Sequence, residues 1–185
     1  MPALLSFLRR HRRNIGIPLA LAALLLARFD PRFLLPSVIL VTFGESIRVW
    51  AAGHLRKEQI LTTGGPYRFM RNPLYLGSFL IAVGFGLASG SVWVWLIIFG
   101  YFLLVYIPVV KYEERILREK FPEYDTYAAS VPAFYPSLTP YQFSSTKFSF
   151  RQAIRNREYN AVIGILAVYA FLIFISPGDN LSLRP

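Results

Sequence analysis

Two stretches of this chain concentrate side chains able to do chemistry. The run Leu61 to Gly77 holds two prolines, three glycines, two arginines and two tyrosines directly ahead of an apolar block. Pro73 suits the first turn of a helix and Asn72 the capping position before it, which would turn free amides and the positive end of the helix dipole toward this loop. Such an end can hold a carboxylate or a phosphate. The plainer role for Arg68 and Arg71 is to anchor the helix to lipid headgroups. In the second stretch, Tyr106 to Arg115, Pro108 is followed by Glu113 and Glu114 where an apolar run gives way to charge. Adjacent helical residues point about 100° apart, so one carboxylate can look inward while the other stays solvated. Further on, Tyr124 and Tyr127 share a helix face between prolines that forbid one long helix. They fit an aromatic interface belt or a lid of amphipathic rings over a site. Glu45 and Arg48 lie inside an apolar block, where ionisable groups are costly unless paired and inward-facing. They are either a neutralising pair or the polar wall of a ligand cavity.

The elements that must position these residues read as membrane helices. Of 185 residues, 55% are hydrophobic, 16% aromatic and only 16% charged, with a mean hydropathy of +0.43, more apolar than a soluble domain. Apolar blocks fall at about 15–29, 33–52, 74–88, 92–110 and 161–175, joined on one side by tight turns at Asp30-Pro31 and Ser89-Gly90-Ser91 and stopped by Ser176-Pro177-Gly178. Pro18 is expected in the opening turn of the first block, and the absence of an Ala-x-Ala-like site after that block predicts a retained helix. The net charge of +10 sits between apolar blocks, so its partner is lipid headgroups and not nucleic acid. With no cysteine, and only His11 and His54, neither a thiolate centre nor a multi-histidine metal centre is expected. Most Lys and Arg, including Lys57, fall in the N-terminal segment and the two long connections, while Arg184 lies on the other side; this predicts a cytoplasmic N-terminus and a C-terminus opposite. The expectation is one all-α domain over 1–185, a polytopic transmembrane bundle of about five spans whose chemistry lies at the cytoplasmic face. Gln142 to Ser149 reads as an interfacial connector leading into a basic amphipathic approach, Arg151 to Tyr159. Oligomeric state is left open.

Taken in order, Gly65-Pro66-Tyr67, Arg71-Asn72-Pro73-x-Tyr75-x-Gly77, Glu113-Glu114-x-x-Leu117, Tyr124-x-x-Tyr127 and Val131-Pro132-x-Phe134-x-Pro136 resemble the isoprenylcysteine carboxyl methyltransferase family and its phospholipid methyltransferase relatives. The resemblance covers 48–136. It implies an integral membrane enzyme that binds S-adenosylmethionine without a Rossmann domain and methylates a lipophilic acceptor, either an isoprenylcysteine-like carboxylate or a lipid headgroup. It also implies a cofactor pocket of Gly65, Tyr67, Arg71, Asn72, Pro73, Tyr75, Gly77, Glu113 and Glu114. Of these, Arg71, Tyr75 and Glu114 are the expected catalytic residues, with Glu45, Arg48, Tyr124 and Tyr127 toward the acceptor. Two positions depart from the family pattern: Asn72 replaces a histidine, and so can hydrogen-bond but not titrate, and Ala133 replaces an arginine. Alternative readings are a membrane sterol or steroid reductase using a nicotinamide cofactor, and a non-catalytic membrane subunit of the same fold.

Overall fold

The computed structural model describes residues 2–56, 59–143 and 146–175, and every regular element among them is helical. Lys57, Arg184 and the expected stop at Ser176-Pro177-Gly178 lie outside the described residues. The order is α1 (Pro2–Leu26), α2 (Leu34–His54), α3 (Pro73–Ala88), α4 (Val92–Tyr101), α5 (Ile107–Lys120), α6 (Tyr124–Ser130), α7 (Phe150–Arg155) and α8 (Tyr159–Phe174). All five expected apolar blocks are helical. Two of the resulting helices, Pro31–His54 and Val92–Lys120, are long and apolar enough to cross a membrane, and three are shorter. Only 17% and 22% of the most apolar windows of the two long helices are buried within the chain, so their apolar faces look outward.

The first helix departs from expectation. It begins at Pro2, which places the arginine cluster on the helix and Pro18 in its interior. A proline there leaves the carbonyl four residues back without its amide partner, so the helix relies on packing against its neighbours. Tyr101 ties α1 to α4 nearby: its hydroxyl donates to the Arg12 carbonyl at 2.7 Å. Between α4 and α5, Phe102–Tyr106 is a π-helical stretch. Pro108 follows at once, and the wider turn accommodates a proline ring that would crowd the preceding carbonyls. The helix thereby continues unbroken to the two glutamates.

α2 and α3 make the most extensive contact in the bundle. Their backbones meet at glycines: a Cβ on Gly44 would stand 2.7 Å from the Gly77 carbonyl oxygen, and one on Gly77 would stand 2.6 Å from the Gly44 oxygen. Neither carbonyl can yield without parting the helices. Gly44→Ala is therefore expected to lower stability by about 1–3 kcal/mol. Gly100→Ala, where a Cβ meets nothing within 4 Å, should be neutral or gain up to about 1 kcal/mol. Thermal unfolding of the purified variants checks the contrast.

At the end bearing the motifs, the chain after α6 runs beside the loop before α3: Arg71 and Asn72 amides donate to the Pro132 and Ala133 carbonyls, and Ser137 and Tyr141 amides to Phe69 and Arg68. Under this layer Tyr124 and Tyr127, 1% and 2% exposed, form a core with Leu61 and Val131. They are neither a belt nor a lid. On such a short helix the shared face is spent on closing this layer over α5. Arg68 is likewise a fastener, its Nε donating to the Tyr141 carbonyl at 2.8 Å. α7 caps the end of α2: Gln152 donates to the Leu55 carbonyl and Asn156 to those of Ala52 and Leu55, at 2.7–3.1 Å.

Candidate functional site

Asn72 occupies the N-cap position of α3 and Pro73 its first turn, as expected, but the Asn72 side chain makes no capping bond. It reaches across the bundle instead, donating to Glu114 Oε1 at 2.9 Å and to the Ala133 carbonyl at 3.2 Å. Arg71 grips the same carboxylate with two nitrogens, Nε to Oε1 at 2.9 Å and Nη2 to Oε2 at 3.3 Å. Its remaining nitrogen, Nη1, donates to the Ala128 and Val131 carbonyls at 2.7 and 2.8 Å. Arg71 and Glu114 side chains are each 17% exposed. Their bidentate geometry is the strong form of this pair, and with the Nη1 bonds it ties the loop before α3, the middle of α5 and the C-terminal end of α6 into one unit.

One residue earlier on α5, Glu113 turns to a different partner set, as helical geometry requires. Its Oε2 accepts from the Tyr75 hydroxyl at 2.9 Å, and its Oε1 from Arg12 of α1 at 2.8 Å. Arg12 also donates to the Tyr75 oxygen, at 2.5 Å, and Arg9 adds a looser ion pair to Glu113 at 3.8 Å. Tyr75 packs edge-on against Tyr106, which in turn meets Tyr101 and Phe102. Those last three rings line a cavity of about 240 Å³ between α1, α3 and α4. Glu113 and Arg12 side chains remain 28% and 40% exposed, unlike the sealed Arg71–Glu114 pair. A carboxylate, a guanidinium and a tyrosine hydroxyl gathered beside these rings suit a ligand that is both cationic and zwitterionic.

The phospholipid methyltransferase family matches residues 36–124. The chain is 36% identical over 156 residues to the cobalt-zinc-cadmium resistance protein CzcN of Cupriavidus metallidurans, spanning 78% of this chain and 72% of that one. It is 34% identical over 153 residues to the nickel-cobalt-cadmium resistance protein NccN of Alcaligenes xylosoxydans xylosoxydans, spanning 76% and 72%. The chain belongs to the phospholipid methyltransferase family. No solved structure matches it.

The family match contains Glu45, Arg48, the whole Gly65 to Gly77 run, both glutamates and Tyr124. Within it the structure gathers Arg71, Asn72 and Glu114 into one cluster and Tyr75 and Glu113 into the other. Gly65 packs on the His54 ring, and the Tyr67 carbonyl accepts from the Tyr127 hydroxyl at 2.7 Å. Burial pushes the Tyr67, Tyr124 and Tyr127 phenols well above the usual range, with neighbouring charge from Glu114 adding to the rise at Tyr124 and Tyr127. All three stay protonated and none is a base. Gly77 lies at the crossing with α2, beside the Arg48 stem.

Glu45 and Arg48 pair at 3.5 Å on α2, and a third member joins them: Glu158, before α8, meets Arg48 Nη2 at 2.6 Å. Arg48 Nη1 also donates to Ser78 on α3, at 2.5 Å. Arg12 and Glu158 both lie outside the family match; from sequence Arg12 reads only as part of the basic N-terminal segment that sets orientation, and Glu158 has no assigned role. No local pattern marks either one. Their partners are 101 and 110 residues away in the chain.

Proposed function

We propose that this chain transfers a methyl group from S-adenosylmethionine to a lipophilic acceptor at the cytoplasmic face of a membrane that it crosses several times, N-terminus inside. The observation that carries this reading is the Glu113–Tyr75–Arg12 cluster, which packs through Tyr75 on Tyr106, a ring of the neighbouring cavity's lining. When bound, S-adenosylmethionine supplies a methyl group on a sulfonium, and its transfer is an in-line displacement that extinguishes a positive charge. Such a step asks the protein for alignment and a dry site more than for a nucleophile.

The residues present fit that ligand. Tyr75, whose ring already carries the Arg12 guanidinium, and the Tyr101, Phe102 and Tyr106 rings beside it form the aromatic surroundings a sulfonium favours. Glu113 holds an ammonium or ribose hydroxyls, and Arg12 a carboxylate. Glu114 is engaged by Arg71 and Asn72, so these three position α5 and, through it, Glu113. Asn72 fixes Glu114 by hydrogen bonding and takes no part in proton transfer, since an amide does not titrate. The outward apolar faces of the helices meet hydrocarbon, and the basic N-terminal and connecting segments meet anionic headgroups. Resistance to divalent metals, for which both relatives are named, fits the same reading through the product, because methylation changes the charge or donor count of a headgroup that meets the cation.

The test is direct binding. Arg12→Ala is expected to weaken S-adenosylmethionine about tenfold, or 1.4 kcal/mol, with the helical circular dichroism unchanged. Wild-type affinity in calorimetry of that variant would remove α1 from the site.

A further inference from the structure

Glu158 stands directly ahead of α8, where a carboxylate commonly accepts from the amides of its own helix, yet its side chain makes no capping bond. The residue is buried, and its Oε1 meets Arg48 Nη2 at 2.6 Å instead. The turn that aims it is strained. Arg157, the residue before it, holds a φ of 61°, a left-handed conformation that is costly for a side chain with a Cβ. Such a conformation persists where the surrounding structure over-determines it. Here the Glu158 amide donates to the Ala153 carbonyl and the Asn160 amide to that of Arg157, fixing the turn between α7 and α8.

Arg48 carries that hold to α3. Its stem crosses Gly77, where a Cβ would stand 2.5 Å from Arg48 Cγ, so a glycine is what lets it pass. Nη1 then donates to Ser78 Oγ at 2.5 Å and to the Leu74 carbonyl at 3.5 Å, the carbonyl that also accepts from the Ser78 hydroxyl at 2.9 Å. Leu74 and Ser78 bracket Tyr75, whose hydroxyl donates to Glu113. Glu45 meets Arg48 only at Nε, from the same helix and at 3.5 Å. It cannot replace Glu158 in holding the Nη end of the fork on α3.

We propose that Glu158 is a positioning residue of the methyl-transfer site: through Arg48 it fixes the turn of α3 that points Tyr75 at Glu113. The site then depends on the segment joining α7 to α8, beyond the residues 36–124 that match the family. That the positioned tyrosine serves S-adenosylmethionine rests on the function proposed above; that Glu158 governs Tyr75 rests on the contacts themselves.

Glu158→Gln is isosteric and leaves Arg48 paired with Glu45, so the variant should keep its helices. Ser37→Ala is the control: it removes the Ser37–Tyr169 hydroxyl bond, which also holds α8 but lies about three turns from Arg48 along α2. In the detergent-purified full chain with 3-fluorotyrosine in place of Tyr75, the fluorine resonance is expected to shift or broaden in Glu158→Gln and to stay in place in Ser37→Ala. In calorimetry on the unlabelled chain, S-adenosylmethionine affinity should fall about tenfold in Glu158→Gln and hold in Ser37→Ala. Glu158→Asp, which keeps the charge one methylene short, should lie between wild type and Glu158→Gln in both readouts. Added to Tyr75→Phe, Glu158→Gln should weaken binding less than about twofold further, because two links of one chain of contacts do not add. A fluorine signal unchanged in Glu158→Gln, an equal change in Ser37→Ala, or an affinity loss undiminished in Tyr75→Phe overturns the proposal. A fluorine response without cofactor binding in the wild type supports the positioning and overturns its methyl-transfer role. Cofactor binding by the wild type with both readouts unmoved in Glu158→Gln overturns the positioning alone.

Discussion

Arg71→Ala is expected to abolish measurable S-adenosylmethionine binding and to lower the stability of the bundle together with it. The guanidinium makes four hydrogen bonds, two to Glu114 and one each to the Ala128 and Val131 carbonyls. Truncation leaves a carboxylate only 17% exposed with the Asn72 amide as its remaining partner, and frees two carbonyls. Removing one member of a buried pair costs about 3–5 kcal/mol, far more than the pair contributes relative to an apolar replacement. From sequence, Arg71 reads as a ligand-binding residue whose loss should spare the fold; the structure makes it the tie between three segments, so both properties fall at once. Arg71→Lys keeps charge but loses the fork, and is expected to be intermediate in both thermal unfolding and binding. Full stability in Arg71→Ala would contradict the structural half of this assignment.

Glu113→Gln is expected to separate the two properties. Glu113 accepts from Tyr75 and Arg12 at a partly open position, and its neutral isostere still accepts one of these bonds while giving up its attraction for a cation. A charge-assisted hydrogen bond contributes about 1.5–3 kcal/mol, so affinity for S-adenosylmethionine should fall roughly ten- to a hundredfold. The thermal midpoint should stay within a few degrees, because no buried charge is orphaned. S-adenosylhomocysteine retains the ammonium and loses only the sulfonium charge. Its affinity should fall by a similar factor if Glu113 serves the ammonium, and by less if it serves the sulfonium.

The parts legible in the sequence are those fixed by local geometry. Asn72 and Pro73 stand at the start of α3 because a missing amide is tolerated there, and Glu113 and Glu114 diverge because neighbours on a helix must. The apolar blocks are helices, and the turns at Asp30-Pro31 and Ser89-Gly90-Ser91 fall where expected, Gly90 taking a positive φ of 58°. The motif run likewise pointed to the family that the chain belongs to. What escaped depends on long-range packing. An arginine of an N-terminal cluster has the same local surroundings whether it meets a phosphate or reaches Glu113. Glu158 is an ordinary residue before a helix until Arg48 is brought to it. Tyr124 and Tyr127 have the amphipathic character of an interface, and only the fold of 131–141 over them makes them core. Pro18 reads as a helix start because the residues before it are charged, yet the arginines continue the helix and carry it to the site.

Glu113, Tyr75 and Arg12 are the proposed pocket for S-adenosylmethionine. Its most direct test is calorimetric titration of the detergent-purified chain with S-adenosylmethionine, S-adenosylhomocysteine and NADPH, each repeated on Glu113→Gln. Saturable one-site binding of the first two ligands, weakened in the variant, and no heat from NADPH are expected. Saturable binding of NADPH alone, or binding of none of the three by a protein whose helices are intact, would contradict it.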